Sequence, residues 1–212
     1  MAIVYICEYC ILFFMNIMQK IFKVIYPLRI RFSEVTGIGK KSVQNKNKTG
    51  SLISFYSLNG VLNNGKIFSF ETLKGKYVIL VNTASNCGYT SQYNDLEKLF
   101  LQYKDRLVVL GFPANNFGGQ EPDTDENIIH FCNINYNITF PLFQKASVVG
   151  NDMQPIFQWL TDPKKNGWND QTPTWNFCKY LVDPTGTLID FYSSAVSPLN
   201  NEIINILNKL LF

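Results

Sequence analysis

Tyr77-Val78-Ile79-Leu80-Val81-Asn82-Thr83-Ala84-Ser85-Asn86-Cys87-Gly88-Tyr89-Thr90 is the stretch on which the reading of this chain turns. Its first five residues are continuous, apolar and β-rich, the pattern of a strand covered by helices on both faces. The polar residues that follow predict a loop, and that loop presents one cysteine, Cys87. Tyr93, Leu96, Leu99, Phe100 and Tyr103 then recur at helical spacing, and a second apolar run over 107–112 reads as another buried strand. Strand, helix and strand at this spacing predict two parallel strands joined by a right-handed crossover.

Outward from this unit, the runs 52–58 and 65–70 flank Asn59-Gly60 and Asn63-Asn64 and read as an irregular hairpin ahead of the main sheet. Downstream, a capped helix is predicted from Asp123 or Thr124, another helix over 153–160, strands over 178–182 and 188–192, and a final helix from Asn200. Asp183-Pro184-Thr185-Gly186 is the turn between the last two strands. The order predicts an α/β domain with a thioredoxin-like fold: a central mixed sheet flanked by helices, an N-terminal β-hairpin and a mid-chain insertion. No internal repeat is visible.

The chain has 212 residues, 46% of them hydrophobic and 17% charged, enough for one packed core and unlike a disordered sequence. One histidine excludes a histidine-rich metal site, and five cysteines are too few for a disulfide scaffold. The net charge of +3 is uneven, because residues 1–50 carry eight Lys or Arg against Glu8 and Glu34. The other 162 residues come to −3, which gives no sign of a nucleic-acid-binding face.

Residues 1–50 therefore read as a targeting presequence and linker, and 51–212 as the folded domain. Ile11-Leu12-Phe13-Phe14-Met15 resembles the apolar part of a secretory signal or short anchor, and the basic, Ser- and Asn-containing stretch after it has transit-peptide composition. Together they predict routing to a plastid-like or secretory-derived organelle. The competing reading is a poorly structured extension or a misassigned start, which would leave the protein in the cytosol. Cys7 and Cys10 have C-x-x-C spacing, but the apolar run around them is no redox-domain context. The polar stretch 37–50 reads as linker.

Three constellations carry chemistry. Cys87 lies between strand and helix, where converging backbone N–H groups and the positive helix end favour a thiolate, and Gly88 allows close backbone approach to whatever the sulfur attacks. A lone cysteine is more commonly a small buried hydrophobe, and the polar Asn, Thr, Ser and Gly setting of Cys87 argues against that reading here. Gly111-Phe112-Pro113-Ala114-Asn115-Asn116-Phe117-Gly118-Gly119-Gln120-Glu121-Pro122 follows the second buried strand, and ligand sites in open α/β sheets collect at such ends, so Gln120 can share the crevice of Cys87. Trp175-Asn176-Phe177 offers uncharged N–H donors suited to a thiolate and a peroxide oxygen, although an aromatic-amide pair by itself reads as packing and turn.

Together these motifs resemble the glutathione peroxidase family, over about residues 51–210. The stretch 75–90 is similar to its first signature, while Leu110-Gly111-Phe112-Pro113, Phe117-Gly118-Gly119-Gln120-Glu121-Pro122 and Trp175-Asn176-Phe177 are similar to the later ones. The resemblance implies that Cys87 is the peroxidatic residue and that Gln120, Trp175 and Asn176 complete a catalytic tetrad. After Phe112-Pro113 the family commonly has Cys-Asn-Gln, and this chain has Ala114-Asn115-Asn116. No tetrad member is lost, but a thiol at 114 is.

Cys132, 45 residues after Cys87, resembles the resolving cysteine of the thioredoxin-dependent, non-selenium branch. Ile128, Phe131 and Cys132 also fit one face of a short helix, so packing is the competing role, and Asn133, Asn135 and Asn137 weaken the end of that helix. Cys178 reads as a small core residue in a strand, and His130 as an exposed helix residue. The expectation is a peroxidase acting on hydrogen peroxide and organic or lipid hydroperoxides through a Cys87 sulfenic acid and a Cys87–Cys132 disulfide, recycled by thioredoxin or a related dithiol. No metal, flavin or nucleotide cofactor is implied. The short interval 161–174 argues for a monomer, since the family's tetrameric members carry a longer loop there. Three alternatives stay open: a glutathione-dependent peroxidase with a structural Cys132, a redox-sensing relay, and a membrane-anchored thioredoxin-fold chaperone. One histidine and the lack of a nearby ligand set count against the last.

Overall fold

A computed structural model describes Gly39 and residues 41–209. The chain enters as a short strand, Ser42–Gln44 (β1), and a 3-10 turn at Phe55–Ser57 leads into a hairpin of Asn59–Val61 (β2) and Ile67–Ser69 (β3). A second 3-10 turn, Phe70–Leu73, precedes Tyr77–Thr83 (β4), Gln92–Gln102 (α1) and Leu107–Pro113 (β5). Asp125–Tyr136 (α2), Pro155–Thr161 (α3) and Pro163–Asn166 (α4) fill the mid-chain insertion. Lys179–Val182 (β6), Leu188–Tyr192 (β7) and Asn201–Asn208 (α5) close the domain.

The five-stranded sheet has the order β1-β7-β6-β4-β5. β4 and β5 run parallel, in register from Tyr77 opposite Leu107 to Thr83 opposite Pro113, as the strand-helix-strand pattern requires. The other pairs are antiparallel, so the sheet is mixed and the fold thioredoxin-like. Side chains alternate along β4. Ile79 and Val81 pack with Leu96, Leu99, Ile128, Cys132, Ile203 and Leu207 of α1, α2 and α5. Val78 and Leu80 pack on the other face with Phe157, Trp159 and Leu160 of α3. Helices on both faces are what a continuous apolar strand needs.

Local signals held for the later elements. Thr124 caps α2 by accepting the Asn127 N–H, Asn200 caps α5 by accepting that of Glu202, and Asp183 Oδ1 accepts the N–H groups of Thr185 and Thr187 in the β6–β7 turn.

Two readings need correction. The first arm of the hairpin is β2, not 52–58: the Ser54 hydroxyl accepts the Tyr56 N–H, and Phe55 turns inward against Phe70 and Trp159. Gly60 then lies in the strand rather than the turn, because the Phe143 ring occupies the space a Cβ would need, 2.5 Å from its ideal position. In the polar stretch 37–50, Ser42, Val43 and Gln44 pair with Tyr192, Phe191 and Asp190, so the sheet begins inside the segment read as linker. Three residues with only Val43 apolar carry no strand signal of their own; the open edge of β7 supplies it. The apolar run 11–15, Cys7 and Cys10 lie outside the described residues. Among the described residues, no helix is long and apolar enough to cross a membrane.

Candidate active site

The C-terminal ends of β4 and β5 and the N-terminal end of β6 meet at one edge of the parallel pair, where Cys87, Gln120 and the Trp175-Asn176 segment gather. After Thr83 the chain turns rather than entering a helix at once, and α1 starts only at Gln92. Thr90 organises that turn: its hydroxyl accepts the Cys87 N–H at 3.0 Å and lies 2.9 Å from the Ala84 carbonyl and 2.7 Å from that of Cys87. The Tyr89 amide is thereby aimed at Cys87 Sγ, 3.4 Å away. An amide donor of this kind favours a negatively charged sulfur, so the turn supplies the N–H that the sequence assigned to the helix end. Cys87 is 6% exposed, so the polypeptide shields most of it from bulk solvent.

Gln120 is half-buried at the end of the Phe117-Gly118-Gly119 turn, where both glycines have positive φ, +64° and +62°. That turn is a consecutive left-handed pair that side-chain-bearing residues rarely adopt. The Gln120 carbonyl accepts the Asn86 N–H at 3.0 Å, which ties this loop to the residue before Cys87. Its side-chain Oε1 accepts Asn176 Nδ2–H at 2.9 Å. Gln120 and Asn176 are thus joined directly, and Asn176 Oδ1 is buried without a hydrogen bond.

Trp175 is 39% exposed, with its ring 6.0 Å from that of Phe117 and its edge over Gly118. Asn82, at the end of β4, holds this segment. Its Nδ2 donates to the Trp175 carbonyl at 3.0 Å, its Oδ1 accepts the Cys178 N–H at 3.0 Å, and its backbone carbonyl accepts the Phe177 N–H. Phe177 completes the turn at φ +66°, which points Asn176 back toward Gln120. Asn82 was quoted in the sequence only as part of a motif. A fully buried amide at the end of an otherwise apolar strand was the available signal.

Cys132 is fully buried on α2, in the same apolar cluster as Cys87, and neither is in a disulfide. Burial, above the opposing contact with Tyr93, pushes its pKa up to about 12. Docked in this way, Cys132 is a packing residue with no thiolate to offer at neutral pH. Cys178 is buried beside the Ser194 hydroxyl and His130 is exposed, as read from the sequence. At the missing thiol, Ala114 is buried, and the two amides after it stitch the loop: Asn115 Oδ1 accepts the Glu121 N–H and Asn116 Oδ1 the Val148 N–H. Glu121 is a second residue the sequence reading passed over. It is fully buried next to Gln120, and burial pushes its pKa up to about 7 against the pull of Ser85.

A family model described as glutathione peroxidase matches residues 55–161. A glutathione peroxidase-like peroxiredoxin of Chlamydomonas reinhardtii is 46% identical over 157 residues, spanning 73% of this chain and 96% of that protein. One from Schizosaccharomyces pombe is 46% identical over 156 residues, spanning 72% and 98%. Among solved structures, Trgpx in its apo form superposes with a TM-score of 0.58 at 32% identity, over 74% of this chain and 97% of that one. GPX1 of T. cruzi gives 0.56 at 26% identity, over 74% and 94%.

Proposed function

This chain belongs to the glutathione peroxidase family, and from that premise we propose that it is a two-cysteine thiol peroxidase, with Cys87 peroxidatic, Cys132 resolving and a dithiol such as thioredoxin as reductant. The observation that carries the reading is the joining of Gln120 and Asn176 by a hydrogen bond beside the turn that aims an amide at Cys87 Sγ. Peroxidase activity is common to the relatives by name.

In this reading the Cys87 thiolate attacks the terminal oxygen of a hydroperoxide, the O–O bond breaks, and water or an alcohol leaves with a proton. The neutral donors of Gln120, Trp175 and Asn176 stabilise the charge growing on the departing oxygen. The Cys87 sulfenic acid then condenses with Cys132 and releases water. That step requires α2 to come undone locally, because Cys132 is fully buried. The C-terminal half of the helix is the weaker end. Ile134 is 66% exposed there, Asn133 and Asn135 are poor helix formers, and Asn137 ends the helix in the left-handed region. Two exchanges through a mixed disulfide suit a dithiol donor.

The full burial of Cys132 favours a second reading, a glutathione-dependent enzyme in which this thiol only packs. Steady-state peroxide consumption separates the two. Cys132→Ser abolishes turnover with a thioredoxin recycling system if Cys132 resolves, and leaves it intact if Cys132 only packs. The short stretch 161–174 supports a monomer, and the basic N-terminal composition supports delivery to an organelle. Molar mass in solution and the N-terminal sequence of the native protein test these two points.

A further inference from the structure

Beneath the site lies a buried polar cluster that the peroxide chemistry does not use. Thr83 Oγ1, Ser85 Oγ, Tyr93 Oη and both carboxyl oxygens of Glu121 are buried there, with only loose polar contacts among themselves: Ser85 lies against Glu121, and Thr83 and Cys132 lie against Tyr93. Four parts of the fold meet there: β4 and the Cys87 turn bring Thr83 and Ser85, α1 brings Tyr93, the loop after β5 brings Glu121, and α2 brings Cys132. They are close enough to act on one another's charge, since Glu121 and Tyr93 both bear on Cys132, Ser85 on Glu121, and Thr83 on Tyr93. The formal charges acting on Glu121 are those of Asp123 in its own loop, which opposes ionisation, and Lys145 in the segment after α2, which assists it. A buried carboxyl whose support from the Ser85 hydroxyl and N–H is outweighed by its burial tolerates its proton better than its charge.

We propose that Glu121 is the latch on the resolving helix: protonated, its carboxyl lies quietly beneath a docked α2, and loss of that proton to solvent favours the opened helix from which Cys132 reaches Cys87. The proposal rests on the reading of Cys132 as the resolving thiol. Glu121 is a positioning residue in it and touches no reacting atom. Opening releases one proton from Glu121 to water. The exposed Cys132 then loses its own proton and attacks Cys87 Sγ, the S–S bond forms as the S–O bond breaks, and the departing hydroxide takes up a proton to become water.

The sign follows from linkage. Docked, Glu121 holds its proton up to about pH 7, and opened it returns toward the ordinary value of 4.5. The opened fraction therefore rises about tenfold per pH unit between about pH 5 and pH 7 and levels off above that. Disulfide formation gains this on top of the tenfold per unit from Cys132 thiolate, so the logarithm of its rate climbs with a slope of about two below pH 7 and about one above.

The test uses the full chain and its Glu121→Gln variant, which keeps size and loses the titration. Hydrogen–deuterium exchange of the α2 amides, corrected for intrinsic exchange, reports opening; the rate of Cys87–Cys132 disulfide formation after peroxide reports resolution. The expected result is opening that rises about tenfold per pH unit from about pH 5 to pH 7 in the wild type and is flat in Glu121→Gln, with disulfide slopes of about two and about one. Flat α2 opening in the wild type overturns the latch even if the variant fails to fold, and an equal rise in Glu121→Gln overturns it by assigning the proton elsewhere. If opening is pH-linked as expected but no Cys87–Cys132 disulfide forms, the resolving role of Cys132 falls, and with it Glu121's part in the reaction.

Discussion

Replacing Asn82 by alanine tests whether the site is held from below by one buried amide. The side chain is fully buried and grips one segment at two points, 93 and 96 residues away, through the Trp175 carbonyl and the Cys178 N–H. Alanine leaves the Cys178 N–H buried without a partner and the Trp175 carbonyl half-buried without one. An orphaned buried group costs about 1–3 kcal/mol, less where water can reach it, so the pair costs about 3 kcal/mol. For a folded unit of this size that lowers Tm by about 6–12 °C. Trp175 and Asn176 lose their anchor at the same time, and misplacement on the ångström scale costs on the order of tenfold or more in the rate of Cys87 oxidation. Thermal unfolding gives the first number, and stopped-flow Trp fluorescence during reaction with hydrogen peroxide gives the second. A variant within about 2 °C of the wild type that oxidises Cys87 at the wild-type rate refutes the anchoring role of Asn82.

Two further predictions concern the loop and the back of the sheet. Gly118→Ala forces a side-chain-bearing residue to φ +64°, and since its Cβ would meet Trp175 and Gln120 at an ordinary 3.6 Å, backbone strain is the whole cost: about 1–2 kcal/mol in a denaturant titration, against no change if the loop relaxes freely. Lys179, fully buried and donating to Gln92 Oε1, has its pKa pushed down to about 7 by burial, whereas the unfolded chain keeps that proton up to about 10.5. Raising the pH from about 7 to 9 therefore favours the folded state, by about tenfold in the folding equilibrium per pH unit, relative to Lys179→Met. Parallel stability curves for the two proteins across that range would contradict a neutral buried lysine.

Much of this architecture was legible because local and tertiary demands agree. β4, β5 and α1 follow from continuous apolar runs and a helical repeat, and the caps at Thr124 and Asn200 from single side chains with one obvious partner. β1 was hidden because its pairing is imposed by the edge of β7, and the hairpin slipped because Phe55 is claimed by Phe70 and Trp159 across the core. In the site, the resemblance of three motifs to the glutathione peroxidase family nominated Cys87, Gln120, Trp175 and Asn176. It carried no information on what holds them: Asn82 and Thr90 act through backbone groups, and Glu121 matters through burial, which sequence distance does not report. Cys132 stood between packing and resolution in the sequence, and its burial on α2 restates that choice as a question about opening the helix.

The most direct test of the two-cysteine cycle is intact mass with peptide mapping, after one equivalent of hydroperoxide and blocking of free thiols. The account predicts a loss of two hydrogens and a Cys87–Cys132 cross-linked peptide. Sulfenic or sulfinic acid on Cys87, with Cys132 recovered as a blocked free thiol, would contradict it.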